Sequence, residues 1–207
     1  MNKKIRFSEK FALADLDANA ISDLTFKYLF DREHGDGKNV IRLFGIRIFY
    51  NRLYIQYRSY PTYTKSNIRI LPNGSEIKTN YYDTLFEVED VLGHLGDKET
   101  FMSFTVGQRL ALLRDFLENG QTRVFCNCGA FYYQGMWEDM AQTDSVVFPF
   151  PGPEGRGIWR ARHAKGLKIP EVRICKHIAA AIHYIFNKNL RTIERKLRTL
   201  PDYETNL

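Results

Sequence analysis

The chain has no apolar run approaching the roughly 18 residues that a membrane-spanning helix requires. Its first twenty residues, "MNKKIRFSEKFALADLDANA", have neither the apolar core nor the small-residue cleavage site of a secretory signal. It therefore reads as a soluble protein made and kept in the cytosol. Cysteine is scarce. There are three in 207 residues, Cys126, Cys128 and Cys175, and an odd count in a reducing compartment favours metal ligation or free thiols over a disulfide framework. No internal repeat or low-complexity tract is present. Also missing are a phosphate-cradling glycine loop, a nucleophile elbow, a dinucleotide fingerprint and the H-E-x-x-H or H-x-E…C-x-x-C spacings of catalytic zinc. The carboxylates Glu138, Asp139 and Asp144 lie near the cysteines but in none of those patterns. Enzymatic activity is not expected.

What is present suits a globular chain with a substantial core, since 44 % of residues are apolar and 14 % aromatic. The net charge of +6 is unevenly spread: residues 1–120 hold 17 Lys and Arg against 16 Asp and Glu, whereas residues 121–207 hold 13 against 8. The basic excess and all three cysteines share the C-terminal part. This suggests an α+β region over 1–120 and a metal-stapled module over 121–207.

Periodicity supplies the elements. Ile21, Leu24 and Tyr28 recur at helical spacing before the glycines of "DREHGDGKN", which predicts one N-terminal helix. From Val40 the period changes to two. Leu53, Ile55 and Tyr57 alternate with Arg52, Tyr54, Gln56 and Arg58, so Phe44–Tyr50 and Arg52–Tyr60 are expected to form a hairpin about Asn51. A third strand is expected over Asn67–Leu71, and Asn73-Gly74 turns the chain into a fourth. Together these predict an antiparallel β-meander. Thr105 and Gln108 form a T-x-x-Q capping box for a helix stopped by Gly120, with Leu110, Leu113 and Leu117 on its buried face. "QTRVFCNC" then reads as a short strand and Cys175–Leu200 as a long amphipathic helix.

Cys126, Cys128, Cys175 and His177 form a C-x-C…C-x-H set split by residues 129–174. Three thiolates and an imidazole are a common closed, tetrahedral zinc set, so Zn2+ is the expected cofactor. In an extended segment, residues two apart face the same way, so a strand end can present Cys126 and Cys128 together. On a helix the same separation turns through about 200°. Cys175 and His177 should therefore sit at the helix entrance, where the positive end of the dipole favours a thiolate at Cys175. Two alternatives stay open: three ordinary buried thiols, and His163 as a competing ligand. His183 points elsewhere on the helix, and His34 and His94 carry no assigned role.

"CNCGAFYYQG" followed by "CKHIAAAI" resembles the SWIM zinc-binding motif, and most of all the SWIM-type proteins encoded by tailed bacteriophages. The matching positions are Cys126, Cys128, Phe131, Tyr133, Cys175, Lys176, His177 and Ile178. Gly129 stands where the family more often has proline, and the spacer is longer than in ordinary SWIM domains. The resemblance implies a non-enzymatic structural protein of the virion, at the head–tail connection or baseplate. It would be made in the host cytoplasm and would contact other virion proteins or its own copies.

The alternative is a nucleic-acid-binding zinc module. Between residues 156 and 176, Arg156, Arg160, Arg162, Lys165, Lys168, Arg173 and Lys176 face a single acid, Glu171, with Trp159 among them. Such a basic, aromatic segment can hold phosphates and stack a base, or anchor on an acidic protein surface. At 100° per residue, Lys188, Arg191, Arg195 and Arg198 fall within an arc of about 80° on the last helix, opposite Ile178, Ile182, Ile185, Phe186, Ile193 and Leu197. Such a stripe reads as a solvated face, a nucleic-acid contact or a protein-docking surface.

Overall fold

The computed structural model describes Leu13 and residues 40–60, 67–71, 73–133, 145–147 and 174–201. The expected N-terminal helix and the basic residues Arg156, Trp159, Arg160, Arg162, His163, Lys165 and Lys168 lie outside the described residues, as do Glu138, Asp139 and Asp144.

The fold is α+β. A four-stranded antiparallel sheet, flanked by helices, has the order β1 (Val40–Phe49), β2 (Arg52–Tyr60), β5 (Tyr82–Glu89), β6 (Thr122–Cys126). Strands β1 (Val40–Phe49) and β2 (Arg52–Tyr60) form the expected hairpin. Its turn residues Tyr50 and Asn51 take φ of 48° and 58°, the left-handed pair whose twist suits a two-residue connection. A register shift between Leu43 and Gly45 leaves Phe44 as the extra residue of a bulge. As the alternation predicted, Leu53, Ile55 and Tyr57 are fully buried.

The meander differs from expectation. Strands β3 (Asn67–Ile70) and β4 (Glu76–Thr79) turn about Asn73-Gly74 as foreseen, but they pair only with each other as a separate hairpin. The main sheet is completed by β5 (Tyr82–Glu89), which pairs with β2, and by β6 (Thr122–Cys126), which pairs with β5. The period-two signal for β5 is plain in retrospect: Thr84, Phe86 and Val88 are buried, whereas Asp83, Leu85 and Glu89 are only partly so.

Between β5 and β6 come α1 (Val91–Leu95), α2 (Lys98–Ser103) and α3 (Val106–Asn119). The capping box forms in full: Gln108 N–H donates to Thr105 Oγ1, and Thr105 N–H donates to Gln108 Oε1 at 2.9 Å. Leu113, Phe116 and Leu117 are buried, but Leu110 sits at the margin and Arg109 is inside. The reason is electrostatic. Arg109 Nε meets Glu194 Oε1 of the last helix at 2.6 Å, while its Nη1 reaches the carbonyls of Met102 and Phe104. A buried guanidinium is tolerable where its donors are this well occupied.

The C-terminal helix spans Lys176 to Thr199 but is not uniform. It consists of α5 (Lys176–Tyr184), a π-helical turn (Ile185–Asn189) and α6 (Leu190–Thr199). Ile178, Ala181 and Ile185 from one half and Ile193 and Leu197 from the other are buried against the sheet. The wide turn places Asn189, whose Nδ2 donates to the hydroxyl of buried Tyr57 at 3.1 Å. Groups loosened by the turn find side chains: Phe186 O accepts from Arg114 at 3.4 Å, and His183 O accepts from Asn187 at 3.0 Å.

The Arg109–Glu194 pair joins α3 to α6 with side-chain exposures of 7 % and 4 %. Removing one partner strands a buried charge. Glu194→Ala should therefore lower unfolding free energy by about 3 kcal/mol in urea titrations, and a paired Arg109→Leu/Glu194→Leu replacement should recover much of that loss.

Candidate metal centre

Cys126 ends β6 on the helix-covered face of the sheet, in line with buried Thr122 and Val124. Asn127 keeps the chain extended for one more residue. Its N–H donates to Asp83 O at 3.2 Å, its Oδ1 accepts from Asp83 N–H at 2.9 Å, and its carbonyl accepts from Ile70 N–H at 2.9 Å. It thus clamps the C-x-C segment between β5 and β3. Cys128, bridged to Arg69, then opens α4 (Gly129–Tyr133), and its sulfur accepts the N–H of Phe131 at 3.4 Å.

The other pair arrives as the spacing predicted. Cys175 is the N-cap residue of α5, with extended φ/ψ of −75° and 158°, and its carbonyl accepts from Ala179 N–H. His177 is the second residue of that helix. The four donor atoms of Cys126, Cys128, Cys175 and His177 lie within 4.8 Å of one another. His177 Nδ1 is 3.8 Å from Cys126 Sγ. With Zn–S bonds of about 2.3 Å, the edge of a tetrahedral thiolate site is about 3.8 Å, so the cluster has the size and donor chemistry that such an ion requires. It could equally accept another metal that prefers soft tetrahedral ligands.

All three thiols are at most 2 % exposed. Burial pushes the Cys126 and Cys175 thiols well above the ordinary value. Burial acts on Cys128 in the same sense, but hydrogen bonds from Cys126 and Cys175 and the proximity of His177 outweigh it and drive that thiol well below. A divalent cation bound there would favour the thiolate form of all three. The surroundings support those charges. Thr84 Oγ1 donates to Cys126 Sγ at 3.7 Å. The ring of Tyr82 lies 4.7 Å from that of His177, and its hydroxyl is pushed up to about 12 by burial and then by the charge at Cys128 and Cys126.

Sequence reasoning missed Thr84, Tyr82 and Asn127. The first two needed β5 to be recognised; Asn127 was visible only as the spacer of C-x-C. His183 lies outside the cluster and contacts Asn187 at 3.2 Å, while His94 contacts the carbonyl of Asp90 at 3.0 Å. Of the four cations on the last helix, Lys188, Arg191 and Arg195 are exposed, whereas Arg198 folds back to Glu194 at 3.3 Å. Lys188 sits inside the π turn, so the arc calculated for one unbroken α-helix does not carry across it. No helix among the described residues is long and apolar enough to cross a membrane.

Comparisons with family models, curated proteins and solved structures give no match. The case for a metal at this cluster therefore rests on its own geometry.

Partners that orient and charge-balance a metal ligand typically contribute tenfold or more to affinity. Thr84→Val, which keeps the shape and removes the donor to Cys126, should weaken zinc binding by about tenfold in competition with a chromophoric chelator and leave the far-UV spectrum unchanged.

Proposed function

We propose that this chain is a non-enzymatic structural protein in which Cys126, Cys128, Cys175 and His177 hold one Zn2+ as a closed staple. The convergence of four protein donors within 4.8 Å carries this reading. A catalytic zinc keeps a position open for water or substrate, whereas four protein ligands would fill the tetrahedron. When bound, the ion would neutralise the thiolates and tie the end of β6 to the entrance of α5.

Function then resides in surfaces. The similarity of the C-x-C…C-x-H segment to the SWIM-type proteins of tailed phages supports a virion component at the head–tail connection or baseplate, working through protein contacts. Exposed aromatic side chains on β1 and its turn are compatible with that role: Phe44, Phe49 and Tyr50 are 52 %, 52 % and 59 % exposed, and aromatics with arginine are enriched at interfaces.

A second reading is nucleic-acid binding. Arg191 and Arg195 are exposed on α6 and have no carboxylate partner among the described residues, and unneutralised guanidiniums are what phosphate contacts use.

Metal analysis should find about one zinc per chain, falling below about half in Cys126→Ser and His177→Ala, and chelation should lower the thermal midpoint. A zinc-free wild-type protein with an unchanged midpoint would remove the staple. Co-purification with particles, or self-association by light scattering, is expected for the virion role; a monomer absent from purified virions would remove it. DNA titrations across a salt series separate the second reading. If it holds, log affinity falls steeply with log salt, and Arg191→Ala and Arg195→Ala each flatten the slope by about one. No binding at low salt excludes it.

A further inference from the structure

The sheet has a second face, turned away from the helices, and a groove of about 380 Å³ opens there between the strands and the β3–β4 hairpin. That volume is within the range of small-molecule sites. Its walls are apolar, with Phe125 and Ile70 buried and Leu71 and Leu85 half-buried. Its charge is unbalanced. Asp83 is the carboxylate of the groove, and it already serves two guanidiniums, Arg58 Nε at 2.8 Å and Arg69 Nη1 at 3.4 Å. Arg47, which also lines the groove, has the Tyr54 ring at 5.0 Å and no carboxylate partner among the described residues.

Several donors there are unspent. Arg69 Nε is buried without a hydrogen-bond partner. Asn127 uses its Oδ1 on the backbone of Asp83, and its Nδ2 makes no hydrogen bond among the described residues. The Gln56 amide, also in the lining, makes none either. Buried polar groups are normally satisfied, so Arg69 Nε is an exception that calls for a partner, and the half-buried Gln56 amide and the Asn127 amide are free to bind beside it. Space is reserved as well. Gly45 faces Gln56 across the β1–β2 register, and a Cβ built on it would meet nothing within 4 Å. A residue that could carry a strand-favouring side chain carries none, which keeps the groove open.

The geometry points to a binding site for a small organic anion, a carboxylate or phosphate monoester carried on a flat apolar body. Its charged end would meet Arg47 and Arg69, with the Gln56 and Asn127 amides completing its hydrogen bonds, and its apolar body would lie against Phe125 and Leu85. Charge-assisted bonds to arginine supply the selectivity for an anion, and the apolar walls supply the preference for an organic one over a bare ion. The proposal does not depend on the metal reading: Arg47 and Gln56, on β1 and β2, take no part in the cluster, although Asn127 also clamps the C-x-C segment and Arg69 is bridged to Cys128.

The test uses the full chain with 1-naphthoate and phenyl phosphate as probes, and 1-naphthalenemethanol and inorganic phosphate as controls. The readout is the NMR shifts of the Asn127 and Gln56 side-chain amides. Saturable shifts are expected with at least one aryl anion. Both controls should bind at least about tenfold more weakly, and Arg47→Gln should cost about tenfold in affinity. Gly45→Leu should block the groove while leaving the thermal midpoint unchanged. No saturable shift with either anion up to about 10 mM, equal binding of the neutral alcohol, or wild-type affinity in both variants overturns the assignment.

Discussion

Three sulfurs and an imidazole packed into one buried corner impose the strongest constraint in this molecule. Thiols in such a place cannot all ionise, because burial and mutual repulsion oppose it. Burial pushes the Cys126 and Cys175 thiols up, while the neighbouring sulfurs and His177 draw Cys128 down. Everything nearby serves that corner. β6 must end at Cys126, Asn127 must hold the chain extended, and α5 must begin at Cys175. The sheet edge and the helix entrance are thereby fixed relative to each other, and so is the helix layer that packs on the sheet.

The last helix shows how the core accommodates this anchor. Its start is set by the cluster and its far end by the Arg109–Glu194 pair and by Lys98 Nζ on the carbonyl of Leu200. An unbroken α-helix between two fixed points has its phase dictated by 3.6 residues per turn. The π turn at Ile185–Asn189 changes that phase, and both halves keep apolar side chains on the sheet. Asn189 is thereby brought over Tyr57, the one fully buried tyrosine among the described residues, and its amide satisfies the Tyr57 hydroxyl.

Much of the architecture was legible because it rests on local rules. The β1–β2 hairpin follows from alternation, the α3 boundary from the Thr105–Gln108 box, and the convergence of Cys126, Cys128, Cys175 and His177 from residue type and spacing at a strand end and a helix start. What was not legible depends on distant partners. The β3–β4 hairpin leaves the main sheet because Asn127, nearly sixty residues on, offers its carbonyl to Ile70. Arg109 is inside because Glu194 is there to meet it. The π turn leaves no local signature, since "IFNKN" is an unremarkable helical segment until Tyr57 is placed beneath it. β5 alone was readable and missed: its aromatic start, Tyr81-Tyr82, obscured the alternation that follows.

The two Cys-containing pairs also constrain what lies between them. Because Cys128 and Cys175 meet in one cluster, the excursion between them starts and finishes there, and on its way Ser145–Val147 returns to β6: Val124 N–H donates to Ser145 O at 2.9 Å and Val147 N–H donates to Val124 O at 3.2 Å. Closing such an excursion depends only weakly on its length, with each doubling costing about 0.6 kcal/mol. The tie to Val124 divides the segment. Residues can be added, removed or recharged on either side of Ser145–Val147 while strand register and helix packing stay as they are, which makes those stretches the natural place for one scaffold to acquire different partners.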